Sequence, residues 1–221
     1  VAYNVDGNIF FDTKEYSKYG KFVNIDDDNL SREDNELGKK HPNDFALWKA
    51  WKDSDGEITW ASDWGNGRPA WHTECAVLGT QLLGKSIDIH CGGIDLKFPH
   101  HENESAQVEA LLGNQFANYW LHAEHLIFDS EKMSKSLGNT LSVSDLLKKY
   151  SPETLRLFLL SSHYRSKVSF SDKKLDDSSK MIEKIDRFVS NFDLDTIDID
   201  GVGHGRFHLA FLDAINDDLN T

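Results

Sequence analysis

"TECAVLGTQLLGKSIDIHCGGIDLKFPHHENESAQVEALLG", Thr73 to Gly113, changes its apolar spacing twice. The first part, up to Gly84, has helical spacing and stops at a glycine. "SIDIHCGG" then reads as a short buried strand running into a glycine turn. "PHHENESAQVEALLG" reads as a helix, with Pro99 near its first turn and Gly113 beyond its end. "NYWLHAEHLIFD", residues 118–129, supplies a second strand. Helix, strand, glycine loop, helix, strand is the alternation of an α/β sheet, whose ligands gather at the C-terminal ends of the strands.

Upstream, "YNVDGNIFFD" alternates about Asp6-Gly7, a hairpin signal. "NIDDDNLSREDNE" carries too many like charges for a core element and reads as an exposed loop. From His41 the chain becomes rich in aromatic residues: Phe45, Trp48, Trp51, Trp60, Trp64 and Trp71 surround Gly/Pro turns, a composition that lines pockets. After Leu141 the pattern turns helical, in "SVSDLLKKY", in "SPETLRLFLLSSHY" with Ser151 as N-cap and Pro152 at N1, and in "DDSSKMIEKIDRFVSNF". "DLDTIDIDGVGHG" resembles a linker, and "RFHLAFLDAINDDLNT" begins another helix.

The 221 residues are 39% hydrophobic and 28% charged, enough for a buried core in one or two domains. No stretch approaches the roughly 20 apolar residues that span a bilayer, and the N-terminus lacks the regions of a signal peptide. The expectation is a soluble, cytoplasmic protein without a membrane partner. Cys75 and Cys91 are too few for a disulfide framework, so metal binding or free thiols are the expected uses. A net charge of −13 repels polyanions, so any nucleic-acid contact must be local and basic.

Two constellations carry chemistry. On a helix His100 and Glu104 share a face, and Cys75 can add a thiolate from a neighbouring element; Cys, His and carboxylate together suit zinc better than magnesium or calcium. His72, His90 and His101 crowd the same region and are substitute ligands on spacing alone. The second is "DSEKMSKSLGN", Asp129 to Asn139, too polar for a core and more basic than the rest of the chain. Lysine ammonium groups can follow charge developing on a phosphate, and flanking Ser and Gly make such a loop deformable.

"KMSKS", Lys132 to Ser136, is identical to the signature of class I aminoacyl-tRNA synthetases. With "FALWK", "WGNGRPAWHTEC", "DIHCGGIDLKFPHHENE" and "LSSHYRS" in the matching order, the chain resembles the cysteinyl-tRNA synthetases from about His41 to Phe170. The resemblance implies an α/β fold, the second half of a class I Rossmann-like catalytic domain with a following helical connection. Residues 1–40 would then be a connective segment with a hairpin and 41–145 the catalytic half with the lysine loop. Residues 146–195 would be the helical connection, and 196–221 a linker and the start of an anticodon-binding region.

It further implies adenylation of L-cysteine by ATP, with Mg2+, and transfer of cysteine to tRNA(Cys). Cys75, His100 and Glu104 fall on three family ligands of one zinc ion that binds the substrate thiolate. Serine's hydroxyl ionises less readily and binds zinc poorly, so selection needs no editing. Trp71 and His72 would line the cysteine pocket, and Gly92, Gly93 and Asp95 would meet the amino group or the adenosine. Lys135, seconded by Lys132, would neutralise the α-phosphate and leaving pyrophosphate, with Ser134 and Ser136 capping the loop around ATP and Gly138 with Asn139 as its hinge. tRNA would follow Lys132, Lys135, Lys148, Lys149, Arg156, Arg165 and Lys167, with Asp26, Asp27 and Asp28 facing away.

The family's "HIGH"-type motif and fourth zinc ligand, a cysteine, do not appear before Val1, and its anticodon-reading helices are not completed. The expectation is an internal fragment, inactive alone. A cysteine–amino-sugar ligase of the same superfamily and a catalytically dead zinc-binding interaction module are the competing readings.

Overall fold

A computed structural model describes residues 1–20, 22–23, 38–128, 131–132, 142–193 and 205–220. The chain divides into two compact units, Val1–His122 and Ala123–Thr221. Among the described residues no helix is long and apolar enough to cross a membrane.

The first unit opens with the hairpin of β1 (Ala2–Val5) and β2 (Asn8–Phe11), joined in register Val5 to Asn8. Asp6 and Gly7 both have positive φ, 49° and 82°, the backbone a two-residue hairpin turn needs. β3 (Phe45–Ala50) and β4 (Gly67–Pro69) extend the antiparallel sheet in the order β1-β2-β3-β4. A register shift after Ile9 and the pleat put Phe10 and Phe11 in different apolar clusters, Phe10 with Ala46 and Ala70, Phe11 with Phe45 and Ala106. Burying each ring contributes about 1.5–3 kcal/mol.

Asp44, 1% exposed, fastens this sheet. Its carboxylate accepts from Tyr3 Oη (2.6 Å), Thr13 N (2.9 Å), Thr13 Oγ1 (2.8 Å) and His41 N (3.0 Å). A buried carboxylate is tolerated only when its lone pairs are matched in this way.

Next come α1 (Trp71–Leu83), β5 (Ile87–Gly93), α2 (Glu102–Leu112) and β6 (Ala117–Ala123), with β5 paired to β6. α1 begins two residues before the predicted segment, and α2 ends at Gly113 in the left-handed conformation, as its position predicts. The strand includes both Gly92 and Gly93 instead of turning at them. Ala76, Ile87, Val108, Phe116 and Ala117 close the core between helices and strands.

The stretch expected as one strand over 118–129 is two, β6 and β7 (Leu126–Phe128). In the second unit β7 pairs antiparallel with β8 (Glu131–Lys132) and parallel with β9 (Val168–Phe170). α3 (Val143–Leu146), α4 (Pro152–Leu160), α5 (Asp172–Val189) and α6 (Arg206–Asn216) follow the predicted helical pattern. Ser151 Oγ caps Thr154 N at 3.2 Å and Pro152 takes the first helical position. The expectation of helices alone after Leu141 omitted β9, whose Phe170 packs edge-on to Phe158 in a core shared with Leu155 and Leu175.

Candidate metal and substrate site

The end of β5, the turn before α2 and the first turn of α1 bring a set of histidines and one carboxylate together. Glu104 is fully buried. Its Oε1 lies 2.6 Å from His100 Nε2 and its Oε2 2.5 Å from His90 Nε2. The i to i+4 relation across the turn that leads into α2 fixes the first contact, and His90 reaches the second oxygen from β5.

The ligand atoms of Cys75, His100 and Glu104 all lie within 4.8 Å of one another, and those of His90, His101 and Glu104 do so as well. Glu104 belongs to both groups. Burial raises its carboxyl, but the His100 and His90 imidazoles more than cancel this and hold it at about 2, so it is ionised at neutral pH. Burial, and then the Glu104 charge, push the Cys75 thiol upward. A nearby divalent cation reverses that sign and favours the thiolate.

His100 Nδ1 lies 3.3 Å from His72 Nδ1, so one ring donates and the other accepts. Where His100 is the donor, its Nε2 lone pair faces Glu104 Oε1, which is buried and makes no hydrogen bond of acceptable geometry despite the short distance. That buried, unpartnered oxygen and the donor set fit zinc: a soft sulfur, an imidazole nitrogen and a carboxylate oxygen, behind a buried wall of imidazoles.

Around this core the remaining candidates separate by exposure. Trp71 is 57% exposed, its ring centroid 4.1 Å from that of His100. His72 is buried behind His100, edge-on to Phe45; burial first, and then His100, lower it to about 4, so it stays neutral. Gly92 is required by close approach, because a Cβ there would lie 2.5 Å from His101 Cε1. A Cβ on Gly93 would lie equally close to Asp95 Oδ1, and Asp95 itself is exposed. Gly92, Gly93 and Asp95 thus follow His90 along one strand and its turn.

Sequence reasoning passed over His122, whose Nε2 lies 2.8 Å from His101 Nδ1, and Trp120, which stacks on His90. The signal was present in "NYWLHA", where Trp120 and His122 alternate onto one face of β6. Trp48 and Trp64 line a separate apolar groove of about 660 Å³ in the same unit, with Phe11, Val77 and Leu111 and without any of the candidate ligands.

Ser134, Lys135, Ser136, Gly138 and Asn139 lie outside the described residues, as do Asp26, Asp27 and Asp28. Lys132 is placed by its backbone, opposite Ile127. Of the cations expected to meet tRNA, Lys149, Arg156 and Lys167 are exposed, and Lys148 donates to Asp145 Oδ1 at 2.7 Å. Arg165 is exposed as well, with its guanidinium engaged by Asp218.

The family model for the tRNA synthetases class I (C) catalytic domain matches residues 1–180. The chain belongs to the class I aminoacyl-tRNA synthetases. This synthetase chain is 46% identical over its whole length to the cysteine–tRNA ligase of Bacillus cereus strain G9842 and 45% to that of Bacillus thuringiensis strain Al Hakam. It spans about half the length of each of these curated relatives, 50% in both cases. A solved LeuRS–tRNA–LeuAMS complex from Agrobacterium radiobacter K84 is 12% identical, with TM-score 0.46 over 65% of this chain and 23% of that one, too distant to inform the synthetase site.

Proposed function

We propose that this chain is the second half of the catalytic domain of a cysteine–tRNA ligase, with Cys75, His100 and Glu104 as protein ligands of a zinc ion that selects the substrate thiolate. The observation that carries the reading is the convergence of the Cys75 and His100 donor atoms on the buried Glu104 carboxylate, in a chain 45–46% identical to cysteine–tRNA ligases. When bound, zinc supplies a soft Lewis-acidic centre that prefers a thiolate to a hydroxyl.

The chain's own residues do the rest. Glu104, ionised, contributes negative charge to the site, and His90 fixes its second oxygen. His72, neutral, orients His100. Trp71 offers an apolar wall at the exposed side. Asp95, exposed beyond the strand end, would meet the ammonium group of the amino acid or the adenosine. Lys135, with Lys132, meets the ATP phosphates with their Mg2+ and stabilises the charge that develops as cysteine's carboxylate displaces pyrophosphate. tRNA(Cys) then accepts the cysteinyl group, and the chain alone is inactive.

The test is metal analysis and cysteine kinetics of the full-length enzyme carrying Cys75→Ser. Zinc content should fall and cysteine KM should rise. Full zinc occupancy with unchanged KM would sink the reading.

A further inference from the structure

Asp218 lies just beyond α6 with φ 55°, and Leu219 follows with φ 60°. Asp enters this left-handed region more readily than most residues and Leu only rarely. Here the His163-Tyr164-Arg165 turn holds Asp218. Arg165 Nε donates to Asp218 Oδ2 at 2.6 Å, and Nη2 to Oδ1 at 3.1 Å. Tyr164 Oη donates to Oδ1 at 2.6 Å, and His163 Nε2 lies 2.8 Å from the Asp218 carbonyl oxygen, which accepts. Three consecutive side chains hold one residue.

Stability is a poor account of this clamp. The Arg165 and Asp218 side chains are 56% and 46% exposed, and solvent-screened ion pairs contribute little. What a two-pronged guanidinium contact gives is fixed geometry. The hydrogen bond from Arg165, and then that from Tyr164, hold the Asp218 carboxyl at about 2, so the clamp is charged at neutral pH.

The clamped turn leads directly into β9. Tyr164 O accepts from Glu124 N at 2.8 Å, and Val168 N donates to His125 O at 3.3 Å, so both ends of the turn are tied to the residues entering β7. β9 pairs parallel with β7, which turns back into β8 with Ile127 opposite Lys132. All of these elements belong to one compact unit.

We propose that Asp218 is a positioning residue: through His163, Tyr164 and Arg165 it fixes the β9-β7-β8 sheet, and so the point at which Lys132 leads into the segment that carries Lys135. The inference rests on the reading of that segment as the phosphate-handling part of the enzyme. A small misplacement of charged groups that act only in the transition state slows the chemical step without altering how the amino acid binds.

The experiment uses the full-length enzyme with Asp218→Ala, Arg165→Ala, the double variant and Lys135→Ala. It reads kcat and cysteine KM in ATP–pyrophosphate exchange alongside thermal unfolding. Asp218→Ala and Arg165→Ala should each lower kcat about 10-fold with cysteine KM within about twofold of wild type, and the double variant should be no slower than either single one. Arg165→Lys, which keeps the charge but not the fork, should recover little. If Asp218→Ala does not accumulate as folded protein, Asp218→Asn carries the same expectation with a smaller loss. A wild-type kcat in the folded Asp218 variant beside a slow Lys135→Ala overturns the clamp inference alone, as do additive losses in the double variant. A normal exchange rate in Lys135→Ala overturns the phosphate reading and the clamp's role with it.

Discussion

His90 on β5 and Glu104 on α2 meet with Nε2 2.5 Å from Oε2, which leaves the other carboxylate oxygen facing His100. One histidine thereby orients a carboxylate for a group it does not itself touch. Such outer partners typically change metal affinity by about 10- to 100-fold when removed. His90→Ala in the full-length enzyme should weaken zinc binding by about that factor, measured by competition with a chelator. Cys75→Ser should weaken it more.

Lys135 is expected to act in the transition state. Lys135→Ala should lower kcat for ATP–pyrophosphate exchange by about 100-fold, equivalent to roughly 3 kcal/mol, and leave cysteine KM nearly unchanged. A matched rise in KM with unaltered kcat would assign the lysine to ground-state binding instead.

Asp44 gives a stability prediction independent of catalysis. Asp44→Ala leaves Tyr3, Thr13 and His41 without their acceptor. The loss should be about 2–4 kcal/mol in the Val1–His122 unit, read from urea unfolding with tryptophan fluorescence. A loss below about 1 kcal/mol would mean that water replaces the carboxylate.

Glu102 supplies a pH dependence. Burial raises its carboxyl to about 7, and the hydrogen bond from Gly20 N only partly offsets this. The folded value lies above the unfolded one, so the favourable contribution is complete below about 4.5 and is lost as pH rises to about 7. Glu102→Gln should therefore gain stability relative to wild type across that interval, seen as a diverging pair of unfolding midpoints. Parallel midpoints between pH 4 and 8 would refute it.

The cation path can be tested by salt. Lys148 is held by Asp145, whereas Lys149 lies with its Nζ 5.9 Å from the Tyr150 ring centroid. Neutralising both in the full-length enzyme should flatten the dependence of log K for tRNA on log[salt] by about 0.7–0.9 for each phosphate that is no longer neutralised, with adenylation unchanged. An unaltered slope would move the tRNA path elsewhere.

The helices and strands around the site were legible because each is long enough to show its period: α1, α2 and β5 declare themselves by spacing and by Gly84 and Gly113. β9 was not, since three residues carry no period and its identity comes from pairing with β7. The grouping of Cys75, His100 and Glu104 follows from helical geometry plus one neighbouring element. That His90 and His101 form a second such group with Glu104 depends on how β5 lies against α2, which spacing does not encode. The pairing of Arg165 with Asp218 was not legible, because more than fifty positions and two helices separate the two residues.

Trp71 has an optical consequence. Its indole is open to solvent on one side and lies against the His100 imidazole on the other, with centroids 4.1 Å apart. Indole emission is sensitive to the charge of a ring in contact with it, so zinc added to the full-length enzyme should change the light this tryptophan emits. Subtracting the spectrum of Trp71→Phe isolates that signal from the other five indoles. Occupancy of the buried carboxylate and imidazole can then be followed in a cuvette, without turnover and without a labelled substrate.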